Sequence, residues 1–172
     1  MGRSAEFGDA SGNHYVEHDM PKEFAYQHPI RSYGEPRRLS VYNPSDTTRY
    51  RFDKEKGFVN DPEHGEPGLV GISDFYREPP TDHSYISVHK DEEGNETRKK
   101  ITNTIADTNV GFMNVQTRYQ GGGIGRQMFD YMHKTTPEGS LLNVGKVAHP
   151  ATEHMAKKLR EEKPNAVKYK LF

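Results

Sequence analysis

The chain predicts an α+β fold, a mixed, mostly antiparallel sheet with two packed helices, preceded by an extended N-terminal arm. Three observations support this. Short runs of alternating apolar and polar residues recur between residues 39 and 115, as half-buried strands require. Two segments with helical apolar spacing follow at residues 124–134 and 150–162. Residues 1–36 show neither period and are rich in Gly, His, Tyr and acidic residues. Of the Ile, Leu and Val residues, 5 lie in residues 1–66 and 17 in residues 67–172, so the core-forming material is C-terminal. The expected division is an extended polar arm at 1–36 and one folded domain at 37–172.

Taken in order, Leu39–Tyr42 and Thr48–Phe52 predict two strands, and the intervening Asn-Pro-Ser-Asp supplies turn chemistry for a hairpin. A loop runs to about Gly68. Leu69–Tyr76, Tyr85–His89 and Lys99–Ile105 continue a meander, with Asp-Glu-Glu-Gly-Asn at 91–95 as a hairpin tip. Val110–Val115 adds a strand before the glycine run at 121–125. Ile124, Met128, Tyr131 and Met132 then fall at i, i+4, i+7 and i+8, one face of a helix that Pro137-Glu-Gly closes. Leu141–Val147 predicts a strand. Pro150–Glu162 predicts a helix with proline in its first turn and Pro164 beyond its end, and Ala166–Phe172 a last short strand.

Composition narrows the function classes. With 24 Lys+Arg against 25 Asp+Glu, the net charge of -1 gives no general attraction to nucleic acid or anionic lipid, and no nucleic-acid partner is expected. Leu, Ile, Val and Phe make up 30 of 172 residues, below the roughly 20% of ordinary globular chains, yet near-zero charge argues against wholesale disorder. A small core with much attached loop is expected. There is no cysteine, hence no disulfide or thiol chemistry, which suits the cytoplasm. No run approaches 18 apolar residues, so no membrane association is expected. The arm at 1–36 is the expected contact surface for a protein partner or another copy of the chain.

One segment carries chemistry. Val115-Gln-Thr-Arg-Tyr-Gln-Gly-Gly-Gly-Ile-Gly-Arg126 places consecutive glycines where a strand ends and an amphipathic helix begins. Glycine lets a ligand approach the main chain, and the first-turn amides of a helix have no intrahelical partner and sit at its positive end. Together they suit a phosphate, with Arg118 and Arg126 able to add charge. A tight strand-to-helix turn explains the same glycines. No Gly-Lys-Ser/Thr follows, which excludes a P-loop, and the antiparallel strands before it weigh against a dinucleotide-binding fold.

Gln120-Gly-Gly-Gly123-Ile-Gly125 matches Gln/Arg-x-x-Gly-x-Gly/Ala after an antiparallel meander, and so resembles motif A of the GNAT family of N-acetyltransferases. Over roughly residues 69–172 the resemblance implies acetyl-CoA as cofactor. Phe112, Met113, Asn114 and Val115 would face its pantetheine, and Gln120, Gly121, Gly122, Gly123, Gly125 and Arg126 its pyrophosphate. The implied reaction is direct attack on the thioester by an amine of a small molecule or protein, aided by proximity and main-chain donors. The strand and two helices with which family members usually begin have no counterpart in residues 1–36. The family's thiolate-protonating Tyr falls on Ala156, and His149 takes the motif's Asn position. His149 is therefore the expected acid or base, since imidazole titrates near neutrality, with Tyr119 or His154 as substitutes. Each of the three also suits a capping or surface role.

Other constellations say less. His14, His18 and Asp19 are the densest of the potential metal ligands, but no His-Glu-x-x-His accompanies them and no metal is expected. Tyr15, Tyr26, Tyr33, Tyr42 and Tyr50 suit either anchors for a partner or contacts with the chain's own sheet. Arg98-Lys-Lys100 and Lys157-Lys158 with Arg160 suit solvated faces. Finally, Asn143-Val-Gly-Lys-Val-Ala-His-Pro-Ala-Thr152 through Pro164 resembles segments of small proteins encoded by tailed phages of actinobacteria. That implies either a phage-encoded acyltransferase acting on the host or, as the alternative function, a non-catalytic GNAT-like virion component whose arm contacts neighbouring subunits, with a virion location.

Overall fold

A computed structural model of the chain describes residues 5–26, 33–146, 150–162 and 167–170. Strands β1 (Ala5–Gly8) and β2 (His14–Asp19) precede a 3₁₀ turn at Lys22–Phe24. Then come β3 (Glu35–Tyr42), β4 (Arg49–Asp53), β5 (Gly57–Asn60), β6 (Glu66–Pro67), β7 (Leu69–Arg77), β8 (Thr81–Lys90), β9 (Glu96–Ile105) and β10 (Thr108–Val115). A second 3₁₀ turn at Thr117–Tyr119 leads to α1 (Ile124–Thr135), β11 (Leu142–Lys146), α2 (Pro150–Glu162) and β12 (Val167–Lys170).

The main sheet has seven strands in the order β1-β2-β3-β7-β10-β11-β12. Its first four pairings are antiparallel and the last two, β10 with β11 and β11 with β12, are parallel. The fold is thus α+β, with a mixed, mostly antiparallel sheet and two helices. On one face α1 buries Ile124, Met128, Phe129 and Met132 against Leu39, Val41, Val70 and Phe75, and α2 adds Leu159. On the other face Leu69 and Ile72 meet Phe52 of a small three-stranded sheet, β5-β4-β6. Arg38 of β3 and Asp74 of β7 also lie there as a buried bidentate pair, at 2.6 and 2.9 Å. Such a pair is kept only where both charges find each other, because either alone would bear a large desolvation cost.

The N-terminal residues differ from an extended polar arm. Ala5–Gly8 and His14–Asp19 are extended, but as strands of the chain's own sheet. Aromatic and ionic groups hold them. Tyr15 is completely buried and stacks on Phe7 at 4.5 Å, and Phe7 stacks in turn on Tyr131 of α1 at 5.0 Å. The buried Glu17 carboxylate accepts from Arg37 (2.8 Å), Arg77 (2.6 Å) and Tyr131 (2.5 Å). A count of Ile, Leu and Val does not register this kind of core.

Two strand pairings also need correction. Leu39–Tyr42 and Thr48–Phe52 do not form a hairpin: β3 lies between β2 and β7, while β4 pairs with β5 and β6. The Asn43–Asp46 turn instead folds back on Gly68, with Asn43 N–H donating to Gly68 O (2.8 Å) and Gly68 N–H to Thr48 O (2.9 Å). Strands β8 and β9 are longer than expected and leave the meander altogether, pairing only with each other among the described residues. Their tip at Asp91–Asn95 is as the sequence predicts, closed by Asp91 accepting from the N–H groups of Glu93 and Asn95.

Candidate functional site

The parallel pairing of β10 with β11 covers only Thr108–Val110, opposite Leu142–Val144, although both strands run on. At the same point β10 carries an irregularity in its register with β7, between Val110 and Phe112. Beyond it, β10 keeps β7 on one side and pairs with no strand on the other among the described residues. The strand then ends in the 3₁₀ turn and the glycine loop. Gly121 and Gly123 have φ of 85° and 87°, a region that costs other residues dearly, and a Cβ on either would meet nothing within 4 Å. Gly123 caps α1 with no side-chain bond, leaving the first-turn N–H groups to solvent or a ligand.

A cavity of about 400 Å³ lies at this place. Met113, Asn114 and Val115 of β10 line it, with Tyr119, Gln120, Gly121, Gly123, Gly125 and Arg126 from the loop and helix, and His154 and Met155 from α2. The structure therefore brings together most of the residues the sequence singled out. Gly122 lies within the loop, where a Cβ would make only an ordinary contact, 3.8 Å from Tyr119 O. Phe112 points elsewhere: it meets Phe52 at 5.4 Å and lines a second cavity, of about 310 Å³, with Phe24, Tyr26, Lys54, Asp74 and Tyr76. His149 lies outside the described residues.

Individual partners refine these roles. The Gln120 side chain donates to Val115 O at 2.9 Å and so closes the loop onto its own strand. Arg126 is held by Asp130 one turn along (3.1 Å) and by Glu162 at the end of α2 (2.5 Å), an arrangement that ties the two helices together. Gly125 serves helix contact as well: a Cβ there would lie 2.9 Å from the terminal methyl of Met155. Ala156 is completely buried and presents no acid to the cavity.

Tyr119 leads to a residue the sequence did not reveal. Its hydroxyl donates to Asp46 Oδ2 at 2.6 Å, and the same oxygen accepts from Arg118 (2.8 Å) and Tyr50 (3.0 Å), while Thr48 N–H donates to Oδ1. The hydrogen bond from Tyr119, with those from Thr48 and Tyr50, outweighs burial and brings the Asp46 pKa down to about 2. Burial and the Asp46 bond in turn raise the Tyr119 phenol above its ordinary 10. Tyr119 is thereby a held, protonated group, and Asp46 anchors the turn that feeds the glycine loop. Its partners at 118 and 119 are more than 70 residues away in sequence, and only the Asn-Pro-Ser-Asp turn hinted at the position.

The remaining candidates disperse. His14 faces Glu6 at 3.6 Å, His18 bonds Ser40 at 2.7 Å, and no group of three or more metal-ligating side chains occurs among the described residues. Tyr42 and Tyr50 pack on the Phe52 cluster, and Tyr26 and Tyr33 around Tyr76, so these aromatics serve the chain's own sheet. A groove of about 680 Å³ with mixed polar and apolar walls runs between main and small sheets past His18, Arg38, Phe24 and Phe52. No helix among the described residues is long and apolar enough to cross a membrane. In comparisons with family models, curated proteins and solved structures, no family, no protein and no structure matches this chain.

Proposed function

We propose that the chain is an acetyl-CoA-dependent N-acyltransferase with a GNAT-like core, acting on an amine. One observation carries this reading: β10 parts from β11 beside the uncapped, glycine-lined N-terminus of α1, and a cavity of about 400 Å³ lies there between the end of β10, the glycine loop and α2. An open strand edge suits the amides of a pantetheine arm, and uncapped helix N–H groups suit a pyrophosphate. Acetyl-CoA would supply the acetyl group as a thioester. Met113, Asn114 and Val115 would align the arm, and the main chain of Gly121 to Arg126 would hold the phosphates. Arg126, occupied by Asp130 and Glu162, acts in this scheme through helix placement. His154 is the described imidazole on the cavity wall and would serve as the proton carrier in this scheme, whereas Tyr119 stays a phenol bound to Asp46. The cavity beside Phe112 lies along the same strand, and its walls of Phe24, Tyr26, Phe52, Tyr76 and Phe112 would offer an acceptor apolar contact area.

A second reading, a non-catalytic assembly protein that the phage resemblance would place in a virion, is favoured by the buried Ala156 where the family's acid would stand. Isothermal titration of acetyl-CoA and CoA decides between them. Gly122→Asp is the matched variant, because it adds negative charge to the loop at a backbone position without positive φ. Binding by the parent chain that weakens at least about tenfold in the variant supports the cofactor site on which the transferase reading rests. A folded parent chain that binds neither compound moves the assignment to the assembly role.

A further inference from the structure

The β8–β9 ribbon takes no part in the acetyl-CoA reading. Its strands form ten residue pairs, about 30 Å of ribbon, and are exposed at nearly every position. A two-stranded ribbon with no face against a core is marginal in water, and becomes independently stable when further strands join it. Three of the five large apolar side chains that stand exposed among the described residues fall within four residues of β8: Tyr85 (53%), Ile86 (64%) and Val88 (51%). The two edges of the ribbon differ. The β9 edge carries Arg98, Lys99 and Lys100 in succession, the kind of residue with which proteins guard an edge. The β8 edge has no Asp, Glu, Lys or Arg between Asp82 and Lys90, and alternates β-forming residues through His-Ser-Tyr-Ile-Ser-Val-His.

We propose that the β8 edge is a dimerisation surface whose occupant is β8 of a second copy of this chain, laid antiparallel about a two-fold axis at Ile86. In that register Asp82 faces Lys90 of the second copy and Lys90 faces its Asp82. Ile86 meets its own counterpart, and Ser84 lies opposite Val88. Register is set by charge: a shift of one or two residues in either direction breaks both ion pairs, placing Asp82 against Val88, His89, Asp91 or Glu92. The joined ribbons make a four-stranded sheet and gain about eight to ten main-chain hydrogen bonds, while Ile86 and Val88 of both copies share one face. Within one chain Asp82 accepts from Thr104 and Lys90 lies 3.5 Å from Glu96, so both charged groups are already held at the exposed ends of the strand. The proposal is independent of any cofactor.

Sedimentation equilibrium on the full chain tests it with Asp82→Lys and Lys90→Asp. The parent chain is expected to dimerise. Either variant alone sets like charges against each other twice per dimer, and its dimer dissociation constant rises roughly tenfold or more. An equimolar mixture of the two variants restores opposite charges at both ends of the shared edge, and its dimer returns toward the parent affinity; this recovery also shows that the variants are folded. A monomeric parent chain, a dimer indifferent to both substitutions, or a mixture that associates no better than its components would overturn the proposal.

Discussion

Asp46 holds the approach to the glycine loop from a position far outside it in sequence. Its carboxylate gathers Tyr50, Arg118 and Tyr119, and so fastens the turn between β3 and β4 to the 3₁₀ turn in front of α1. Replacing it by alanine leaves two tyrosine hydroxyls, the Arg118 guanidinium and one main-chain N–H short of a charged acceptor. Hydrogen bonds to charged groups are worth about 1.5–3 kcal/mol each before neighbours relax and water substitutes, so Asp46→Ala is expected to cost about 2–3 kcal/mol in urea unfolding. A loss under about 0.5 kcal/mol would show that water replaces the carboxylate. At this scale the sequence was legible where chemistry is local. Gln120 to Gly125 announced a strand-to-helix turn by residue type alone, and Gly121 and Gly123 do carry the positive φ values and open space. It was illegible where one side chain's meaning depends on groups far along the chain, as for Asp46 and for the Arg38–Asp74 pair.

Among the elements, α1 sets two nearby glycine requirements side by side, and they predict opposite outcomes. Gly123 holds φ at 87°, so Gly123→Ala is expected to lose about 1–2 kcal/mol although nothing crowds the new methyl. Gly125 is helical, and its Cβ would crowd the flexible end of Met155 and make an ordinary contact with Met113 Sδ at 3.9 Å. Gly125→Ala therefore gains helix propensity of up to about 1 kcal/mol against a small side-chain shift, and is expected to be neutral or stabilising. Thermal unfolding of the pair checks this; equal losses would mean that Met155 cannot move. The same distinction explains which elements the sequence revealed. β7, α1 and α2 bury Leu, Ile, Val, Met or Phe, β10 packs Val110, Met113 and Val115 half-buried against them, and their periods show. β1 and β2 are held by Phe7, Tyr15 and Glu17, a mixture without an apolar period. β8 and β9 have the alternation of half-buried strands but face water on both sides, because alternation reports a pleat and not what covers it.

Across the whole molecule, the outlying segments are tied to the main sheet by carboxylate–tyrosine contacts: Asp9 with Tyr15, Glu17 with Tyr131, Asp46 with Tyr50 and Tyr119, and Glu66 with Tyr42. These pairs give stability a defined pH window. Burial pushes Glu17 up, but Arg77, Tyr131 and Arg37 outweigh it and hold the carboxyl below its ordinary 4.5; Asp46 falls from 3.8 to about 2. For both, the folded pKa lies below the unfolded one, so their contribution is complete above about pH 4.5 and is lost as pH falls toward 2. The tyrosines shift the other way. Burial, reinforced by Asp9, Glu66 and Glu17, raises Tyr15, Tyr42 and Tyr131 above 10. Their folded pKa values exceed the unfolded ones, so their contribution is complete below pH 10 and drains away as pH rises past it. The urea midpoint is therefore expected to form a plateau between about pH 4.5 and 10 with a decline on each side. Tyr131→Phe lowers the plateau by about 1 kcal/mol, because Glu17 loses a donor, and makes the alkaline decline shallower, because one raised phenol is gone. An alkaline limb that keeps its slope in that variant would mean that the tyrosines do not hold the N-terminal strands to α1.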